Sequence, residues 1–220
     1  MIVIAHRGAS AYFKENTLKA FKEAFNMSAQ YMETDVQRSQ DGVLVLYHDY
    51  ALPDGRKIKD LPFSQLKKYD VPSIEELFFA ARNFSVKINL EIKNDDNLYP
   101  GIEKQLFDFL NSAKTVNKEH LLLSSFDFET LKRVRALDIT IKIGVLTRNF
   151  DVKQALSLNA YSLNISEKRI NADIIKICKE NNLKTFVYTV NDLSRARELE
   201  AMGADGIFSD FPDLISKQAL

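Results

Sequence analysis

The amino-acid sequence predicts an α/β fold in which eight strands close into a (β/α)8 barrel with a short insertion after the second strand. Short β-branched runs alternate with amphipathic stretches along nearly the whole chain, the pattern of repeated βα units and a parallel sheet. The strand candidates number eight, which favours closure over an open sheet. With 220 residues, slightly fewer than the roughly 250 of a typical barrel, we expect one domain over residues 1–220.

The predicted elements follow one another in regular alternation. The eight strands are predicted at residues 2–5, 31–36, 86–92, 119–124, 141–146, 160–165, 184–190 and 205–208. Helices are predicted near residues 16–29, 73–83, 100–113, 127–137, 151–158, 171–181 and 192–202. Asp127, Asn171 and Asn191 occupy capping positions at helix starts, and Gly203 is expected to end the last helix.

Residues 42–72 fit neither element of the repeat. Residues 43–47 read as an extra strand, and Leu52-Pro53-Asp54-Gly55 is typical of a turn. We expect this insertion to lie over one end of the barrel. No linker or low-complexity tract justifies a second domain.

Composition narrows the class of function. The 30 basic and 30 acidic residues cancel, and no basic cluster suggests a nucleic acid or a stably bound anionic membrane as partner. The single cysteine, Cys178, excludes a disulfide framework. Neither an export signal nor an apolar run of about 20 residues is found. We expect a cytoplasmic enzyme; the oligomeric state is left open.

Polar residues that end the predicted strands are the first candidates for chemistry, because barrel active sites lie at the carboxyl ends of the strands. Glu33 and Asp35 are two residues apart and therefore point to one face of their strand. Glu91 and Lys93 share a face on the next strand in the same way. Two readings of this group stay open: an internal salt-bridge cluster that includes Arg7, or a site for a divalent metal with oxygen ligands, Mg²⁺ or Ca²⁺, with Mn²⁺ also compatible.

Two of the three histidines, His6 and His48, end apolar strand-like runs beside polar groups. Histidine titrates near neutrality and serves as general acid or base, although each of these residues taken singly fits a structural role. His120, at the start of a strand, is expected to be structural. Arg7 can hold phosphate oxygens in a fork, and Lys93 adds a point charge. Histidines, carboxylates and cations together suit hydrolysis of a phosphodiester.

The sequence resembles the glycerophosphodiester phosphodiesterase family through short motifs that run in the family's order across nearly the whole chain. They are His6-Arg7-Gly8, Glu15-Asn16-Thr17, Glu33-x-Asp35, His48-Asp49, Leu90-Glu91-Ile92-Lys93, Ser125-Phe126, Thr189-Val190-Asn191 and the run from Gly203 to Pro212. The sequence departs from the family after His48-Asp49, where the insertion is shorter and an Arg-Thr-Thr stretch is replaced, and at Tyr188, where Trp is common. Substrate preference therefore stays more open than the chemistry.

The resemblance implies a TIM-barrel fold, release of glycerol 3-phosphate from substrates such as glycerophosphocholine or glycerophosphoethanolamine, and roles for individual residues. His6 and His48 would be the acid–base pair. Glu33, Asp35 and Glu91 would hold the divalent metal, with Arg7 and Lys93 at the phosphate. Ser125 and Asn191 are further substrate-binding candidates that also fit structural roles. Glu15 would support the site, or else act only as a carboxylate at a helix start.

Three other functions are compatible with the same fold. A related barrel phosphodiesterase acting on lysophospholipids would need an apolar groove beside the site. A non-catalytic phosphoglycerol-binding module would be expected to lack one of the histidines or carboxylates, and all are present. An isomerase or aldolase that uses Lys93 as a Schiff base would not need three carboxylates around that lysine.

Overall fold

The structure, a computed structural model, describes residues 1–27, 29–113 and 116–214. Its strands are β1 (Ile2–Ala5), β2 (Tyr31–Arg38), β3 (Leu44–Leu46), β4 (Lys87–Ile92), β5 (Leu121–Ser125), β6 (Lys142–Thr147), β7 (Ser162–Ser166), β8 (Lys184–Tyr188) and β9 (Gly206–Ser209). Its helices are α1 (Leu18–Asn26), α2 (Phe63–Leu66), α3 (Ile74–Ala81), α4 (Ile102–Ser112), α5 (Phe128–Leu137), α6 (Val152–Ser157), α7 (Ala172–Glu180) and α8 (Leu193–Met202).

Eight of the strands form a closed parallel barrel. They pair in the order β1-β2-β4-β5-β6-β7-β8-β9, and β9 pairs with β1 to close the ring. The predicted α/β barrel is therefore confirmed. The prediction that residues 1–220 form one domain includes residues 28, 114, 115 and 215–220, which lie outside the described residues, as does residue 28 of the helix predicted over 16–29.

The insertion contains β3, which pairs antiparallel with β2 near its carboxyl end, where Leu46 lies opposite Val36. This is the extra strand that the sequence predicts over residues 43–47. The insertion carries a small core of its own, formed by Val45, Leu52, Ile58, Leu61, Leu66 and Val71. Burial of this apolar surface fixes the segment that follows β3 and carries His48.

Alternation along the strands divides the buried residues into two cores. One set of strand residues packs against the surrounding helices, for example Leu90 of β4 with Leu106 of α4 in the same buried cluster. The other set fills the barrel interior, where Ile4, Tyr31, Leu122, Phe186 and Phe208 form a separate cluster. The polar residues that end the strands lie at the carboxyl-terminal side of this apolar cluster. Among the described residues, no helix is long and apolar enough to cross a membrane.

The helix caps agree with the sequence at three positions and differ at one. The side chain of Asp127 accepts from the N–H of Thr130, Asn171 caps α7 in the same way, and Gly203 ends α8 with φ 94°. The prediction that Asn191 caps α8 is wrong. Asp192 is the cap, because the Asn191 side chain is bonded to Asp210 instead.

Candidate active site

A cavity of about 350 Å³ opens at the carboxyl ends of the barrel strands. It brings together residues from distant parts of the chain that the sequence singled out: His6, Arg7, Glu33, His48, Glu91 and Lys93. Phe126, Tyr188 and Phe208 also line it and form the apolar part of its wall. Charged and titratable side chains thus face one shared cavity beside an aromatic surface.

The loop after β1 is held close to α1 by Gly8. This residue has φ +84°, and a Cβ atom there would lie 2.7 Å from the carbonyl carbon of Ala20. Only glycine fits without displacing the helix. The close approach fixes the adjacent residues His6 and Arg7 at the rim of the barrel.

Three buried carboxylates form the floor of the site. Glu33 and Asp35 lie on β2, and Glu91 lies on β4, where it pairs in register with Asp35. One oxygen from each lies within 4.8 Å of the others, and the residues are 2%, 0% and 8% exposed. The prediction that alternation places these carboxylates on one face is confirmed.

Arg7 and Lys93 are the cations that contact this cluster. The Nε of Arg7 lies 3.3 Å from Asp35 Oδ2, and its backbone N–H donates to Glu33 at 3.0 Å. Lys93 Nζ lies 2.9 Å from Glu91 and 3.4 Å from Asp35. Although burial opposes its charge, the neighbouring carboxylates raise the pKa of Lys93. The predicted salt-bridge cluster therefore exists, with more carboxylates than cations.

The cations neutralise the three carboxylates unequally. Burial raises the pKa of Glu33 well above its usual range, and the charges of Asp35 and Glu91 raise it further. Burial and Asp35 also raise the pKa of Glu91, to about 7. Burial acts in the same direction on Asp35, but Lys93 and Arg7 lower its pKa overall. The cluster is short of positive charge.

These residues fit a hard divalent cation. The donors are all carboxylate oxygens within a few ångströms of one another, the ligand type that Mg²⁺ and Ca²⁺ prefer. Asp35 Oδ1 is buried and accepts no hydrogen bond from any residue that the structure describes, since the contact with Lys93 at 3.4 Å does not have the geometry of one. A bound cation would satisfy this oxygen and offset the remaining negative charge.

The repulsion among the three carboxylates predicts how the stability of the metal-free protein changes with pH. The pKa of an ordinary glutamate in an unfolded chain is about 4.3, whereas burial and the charge of Asp35 raise the pKa of Glu91 to about 7 in the folded protein. Between these values the folded state binds more protons, so the contribution of Glu91 to stability falls as pH rises from about 4.3 to about 7. In EDTA, Glu91→Gln should therefore gain in melting temperature over the wild type as the pH rises from 5 to 8.

The wild type must be compared with Glu91→Gln because His48 changes stability in the opposite direction. Its pKa is lowered in the folded protein, so its contribution to stability rises with pH below its ordinary value of about 6.5. The lowered pKa values of Asp35 and Asp210 act mainly below about pH 4, outside the window. Melting curves recorded in EDTA at several pH values measure the difference. A wild type that gains stability relative to the variant as pH rises would contradict the repulsive cluster.

The two histidines lie in similar but unequal surroundings. His6 Nδ1 lies 2.7 Å from Asp210 Oδ1, and His48 Nδ1 lies 2.7 Å from Asp49 Oδ1. The His6 side chain is 17% exposed and that of His48 is 35% exposed. Burial lowers the pKa of His48, and Lys93 and Arg7 lower it further against the opposing effect of Asp35. Both histidines line the cavity.

Four predicted site residues are not among those that line the cavity. One is Asp35, which is 0% exposed and belongs to the buried carboxylate cluster. Ser125 is 1% exposed, and its hydroxyl donates to the carbonyl of Ile92 at 2.7 Å, so the structure supports a structural role over substrate binding. Asn191 contacts Asp210, not the cavity. Glu15 accepts two hydrogen bonds from Arg7 Nη1, at 3.0 and 2.9 Å, and so neighbours the site through that arginine.

Other residues at the site were not assigned a role from the sequence. Asn16, read as part of a helix start, is buried and donates to Asp35 Oδ2 at 2.8 Å while accepting from Thr34. Asn89 and Arg148 line the cavity. Asp210 contacts His6. In the sequence, only their positions indicate a role at the site. Asn16 and Asp210 lie inside the motifs of the family resemblance, and Asn89 precedes Glu91 by two residues.

A closed barrel with titratable side chains gathered at the carboxyl ends of its strands defines a (β/α)8-barrel enzyme. Residues 6–214 match the model of the glycerophosphoryl diester phosphodiesterase family, and the chain belongs to this family. It is therefore a phosphodiesterase that hydrolyses glycerophosphodiesters. The resemblance inferred from the sequence motifs is confirmed.

Several named proteins and solved structures are similar to the chain over nearly its whole length. A glycerophosphodiester phosphodiesterase of Caldanaerobacter subterraneus subsp. tengcongensis is 33% identical over 235 residues, which cover 97% of this chain and 96% of the relative. The structure of an Oleispira antarctica phosphodiesterase in complex with the product sn-glycerol-3-phosphate has a TM-score of 0.90 at 27% identity and covers 99% and 96% of the two chains. A Thermotoga maritima glycerophosphodiester phosphodiesterase has a TM-score of 0.82 at 26% identity, with 99% and 97% covered.

Proposed function

We propose that the protein hydrolyses glycerophosphodiesters such as glycerophosphocholine or glycerophosphoethanolamine to glycerol 3-phosphate and an alcohol. The reaction uses His6 and His48 as acid and base and depends on a divalent metal. The observation that carries the proposal is the convergence of both histidines, the acidic cluster and two cations on one cavity. The product bound to the related Oleispira antarctica enzyme supports the glycerol 3-phosphate half of the substrate.

Glu33, Asp35 and Glu91 would hold the metal, which supplies electrostatic stabilisation to a phosphate oxygen when bound. Mg²⁺ and Ca²⁺ both suit all-oxygen ligands, and Mn²⁺ is compatible with them. Arg7 and Lys93 neutralise charge on the phosphate. Lys93 is pre-oriented for this by Glu91 at 2.9 Å, and Arg7 by Glu15 at 2.9 Å. Preorganised charge of this kind lowers the barrier without reorganisation during the reaction.

The proton transfers are assigned to the two histidines. One accepts the proton of the attacking hydroxyl as its oxygen bonds to phosphorus, and the other protonates the alcohol oxygen as its bond to phosphorus breaks. The attacker is the 2-hydroxyl of the glycerol moiety, which is held beside the phosphorus within the same molecule. The resulting five-membered cyclic phosphate is then opened by water to give glycerol 3-phosphate.

The size of the cavity favours a small substrate. About 350 Å³ falls at the lower end of ligand pockets and suits a glycerophosphodiester better than a lysophospholipid with a long acyl chain. Phe126, Tyr188 and Phe208 provide an apolar wall for the glycerol carbons. A cytoplasmic location and the absence of a nucleic-acid partner or stable membrane attachment stay predictions.

Product analysis by ³¹P NMR tests the proposal. With glycerophosphocholine and Mg²⁺, Ca²⁺ or Mn²⁺, we expect the glycerol 3-phosphate signal to replace the diester signal. Phosphocholine as product would mean that the other phosphoester bond is cleaved and would contradict the assignment. A matched diester with 1,3-propanediol in place of glycerol lacks the 2-hydroxyl, so it should not be turned over. Its hydrolysis at the rate of glycerophosphocholine would contradict attack by that hydroxyl.

A further inference from the structure

Asp210 connects His6 to the far end of the chain. It is the first residue after β9, and its Oδ1 lies 2.7 Å from Nδ1 of His6, which follows β1. Because β1 and β9 are neighbours in the barrel, residues 204 positions apart meet at its rim. The Asp210 side chain is 29% exposed, so this contact is partly shielded from water.

The position of Asp210 is fixed by groups on two loops. Its backbone N–H donates to Asn191 Oδ1 at 2.9 Å, while Asn191 Nδ2 donates to Asp210 Oδ2 at 2.6 Å. Its backbone carbonyl accepts from the N–H of Ala11 at 3.0 Å. The Ser10 hydroxyl shares its single hydrogen between Asp210 Oδ1, at 3.0 Å, and the carbonyl of His6, at 2.7 Å. Both carboxylate oxygens and both backbone polar groups are therefore engaged. Rotation of the carboxylate would break several hydrogen bonds at once.

The charge of Asp210 determines the direction of its bond with His6. Burial favours the neutral acid, but hydrogen bonds from His6, Asn191 and Ser10 lower the pKa of Asp210 to about 2. The carboxylate is thus an acceptor at neutral pH, and Nδ1 of His6 carries the proton between them. The other ring nitrogen, Nε2, is then the one available for proton transfer with substrate.

The second histidine has a weaker version of this arrangement. Asp49, which contacts His48 at the same distance of 2.7 Å, has a side chain that is 73% exposed. Among the described residues, only His48 is hydrogen-bonded to the Asp49 carboxylate. Exposed pairs contribute little to holding a side chain, because water competes for both partners. Of the two aspartates that contact a histidine, Asp210 is therefore the one that is itself held in place by other groups.

We propose that Asp210 is a positioning residue for the reaction: held by Asn191 and Ser10, it fixes the ring orientation and tautomer of His6. This inference rests on the proposed function, because it requires His6 to transfer a proton. It also gives Asn191 a role that differs from substrate binding. Asn191 acts on Asp210, and Asp210 acts on His6.

Steady-state kinetics of Asp210→Asn test the inference. The substitution keeps the shape of the side chain and removes its charge. We expect kcat to fall about 100-fold, the cost of a slightly misplaced catalytic group, with KM changed less than about threefold because no substrate contact is lost. Asn191→Ala should lower kcat about tenfold in the same pattern, since it frees Asp210 without removing it. Wild-type kcat in Asp210→Asn would overturn the inference.

A matched control separates this effect from the loss of one negative charge. Asp108 pairs with Lys104 at 2.6 Å on α4 and has a side chain that is 63% exposed. Asp108→Asn should keep wild-type kcat and KM. Near-equal losses in Asp108→Asn and Asp210→Asn would overturn the positioning role.

The tautomer provides a readout that a merely structural role would not change. The chain has only three histidines, so ¹⁵N NMR of the imidazole rings is readily assigned with His120→Ala and His48→Ala. Wild-type His6 should show a protonated Nδ1, and Asp210→Asn should shift both ring nitrogens of His6 and leave those of His120 unchanged. Unshifted His6 signals in folded Asp210→Asn would contradict the inference.

The two proposals fail in distinguishable ways. If His6→Ala retains activity, the acid–base assignment in the proposed function is wrong. If His6→Ala is inactive and Asp210→Asn is fully active, only the positioning role is wrong. Circular dichroism of each variant confirms that it is folded, and Asn191→Ala gives a second measurement if Asp210→Asn does not fold.

Discussion

Replacing His6 or His48 with alanine should lower kcat about 10³-fold in each variant, within the range that general acid or base catalysis contributes. Both rings line the same cavity, and each has its Nδ1 engaged by an aspartate, which leaves Nε2 free for the reaction. A single histidine cannot transfer protons at both oxygens in one step, so loss of either should stop the same step. Steady-state turnover of glycerophosphocholine measures the effect.

His120→Ala is the matched control for these variants. His120 lies in the short 3-10 helix that precedes β5, at the amino end of the barrel strands and away from the cavity. Its removal should leave kcat and KM at wild-type values. Near-normal activity in His6→Ala or His48→Ala, with the fold intact by circular dichroism, would contradict the two-histidine mechanism.

The second large effect is expected on metal binding. Glu91→Gln and Asp35→Asn should each weaken the affinity for Mg²⁺ or Ca²⁺ by more than about 100-fold, beyond the range known for residues that only support metal ligands. Each substitution removes a charged oxygen from a cluster whose ligand atoms lie within 4.8 Å of one another. Isothermal titration calorimetry measures the affinity without any reference to turnover.

Glu103→Gln controls for the loss of a buried carboxylate elsewhere in the barrel. Glu103 is 1% exposed and is held by Arg133 at 2.8 Å and Asn94 at 3.0 Å, outside the acidic cluster. The variant should bind metal as the wild type does, even if its melting temperature falls. Unchanged metal affinity in both Glu91→Gln and Asp35→Asn would remove these residues from the ligand set.

The barrel was predictable because its determinants are periodic and local. Eight short β-branched runs separated by amphipathic segments specify repeated βα units, and the extra strand over residues 43–47 stood out because it broke the repeat. The cap of α8 was less predictable. Asn191 and Asp192 are both good capping residues, and only the contact of Asn191 with Asp210 decides between them.

At the site, too, features that follow from local pattern were predictable and features that depend on tertiary contacts were not. Alternation in a strand suffices to place Glu33 and Asp35 on one face, and the in-register pairing of β2 with β4 brings Glu91 beside them. The position of Ser125 at a strand end is compatible with substrate binding and with a structural role, and it does not reveal that the hydroxyl donates to the backbone of β4. The contact of Asp210 with His6 depends on tertiary structure alone, which a linear pattern does not encode.

The most direct test of metal-dependent glycerophosphodiester hydrolysis is the rate of glycerol 3-phosphate release from glycerophosphocholine by protein stripped with EDTA and then reloaded. We expect no release in EDTA and recovery on addition of Mg²⁺, Ca²⁺ or Mn²⁺, because the excess carboxylate charge at Glu33, Asp35 and Glu91 needs a cation before an anionic phosphate can enter. Undiminished release in EDTA, with metal content confirmed to be nil, would contradict this mechanism.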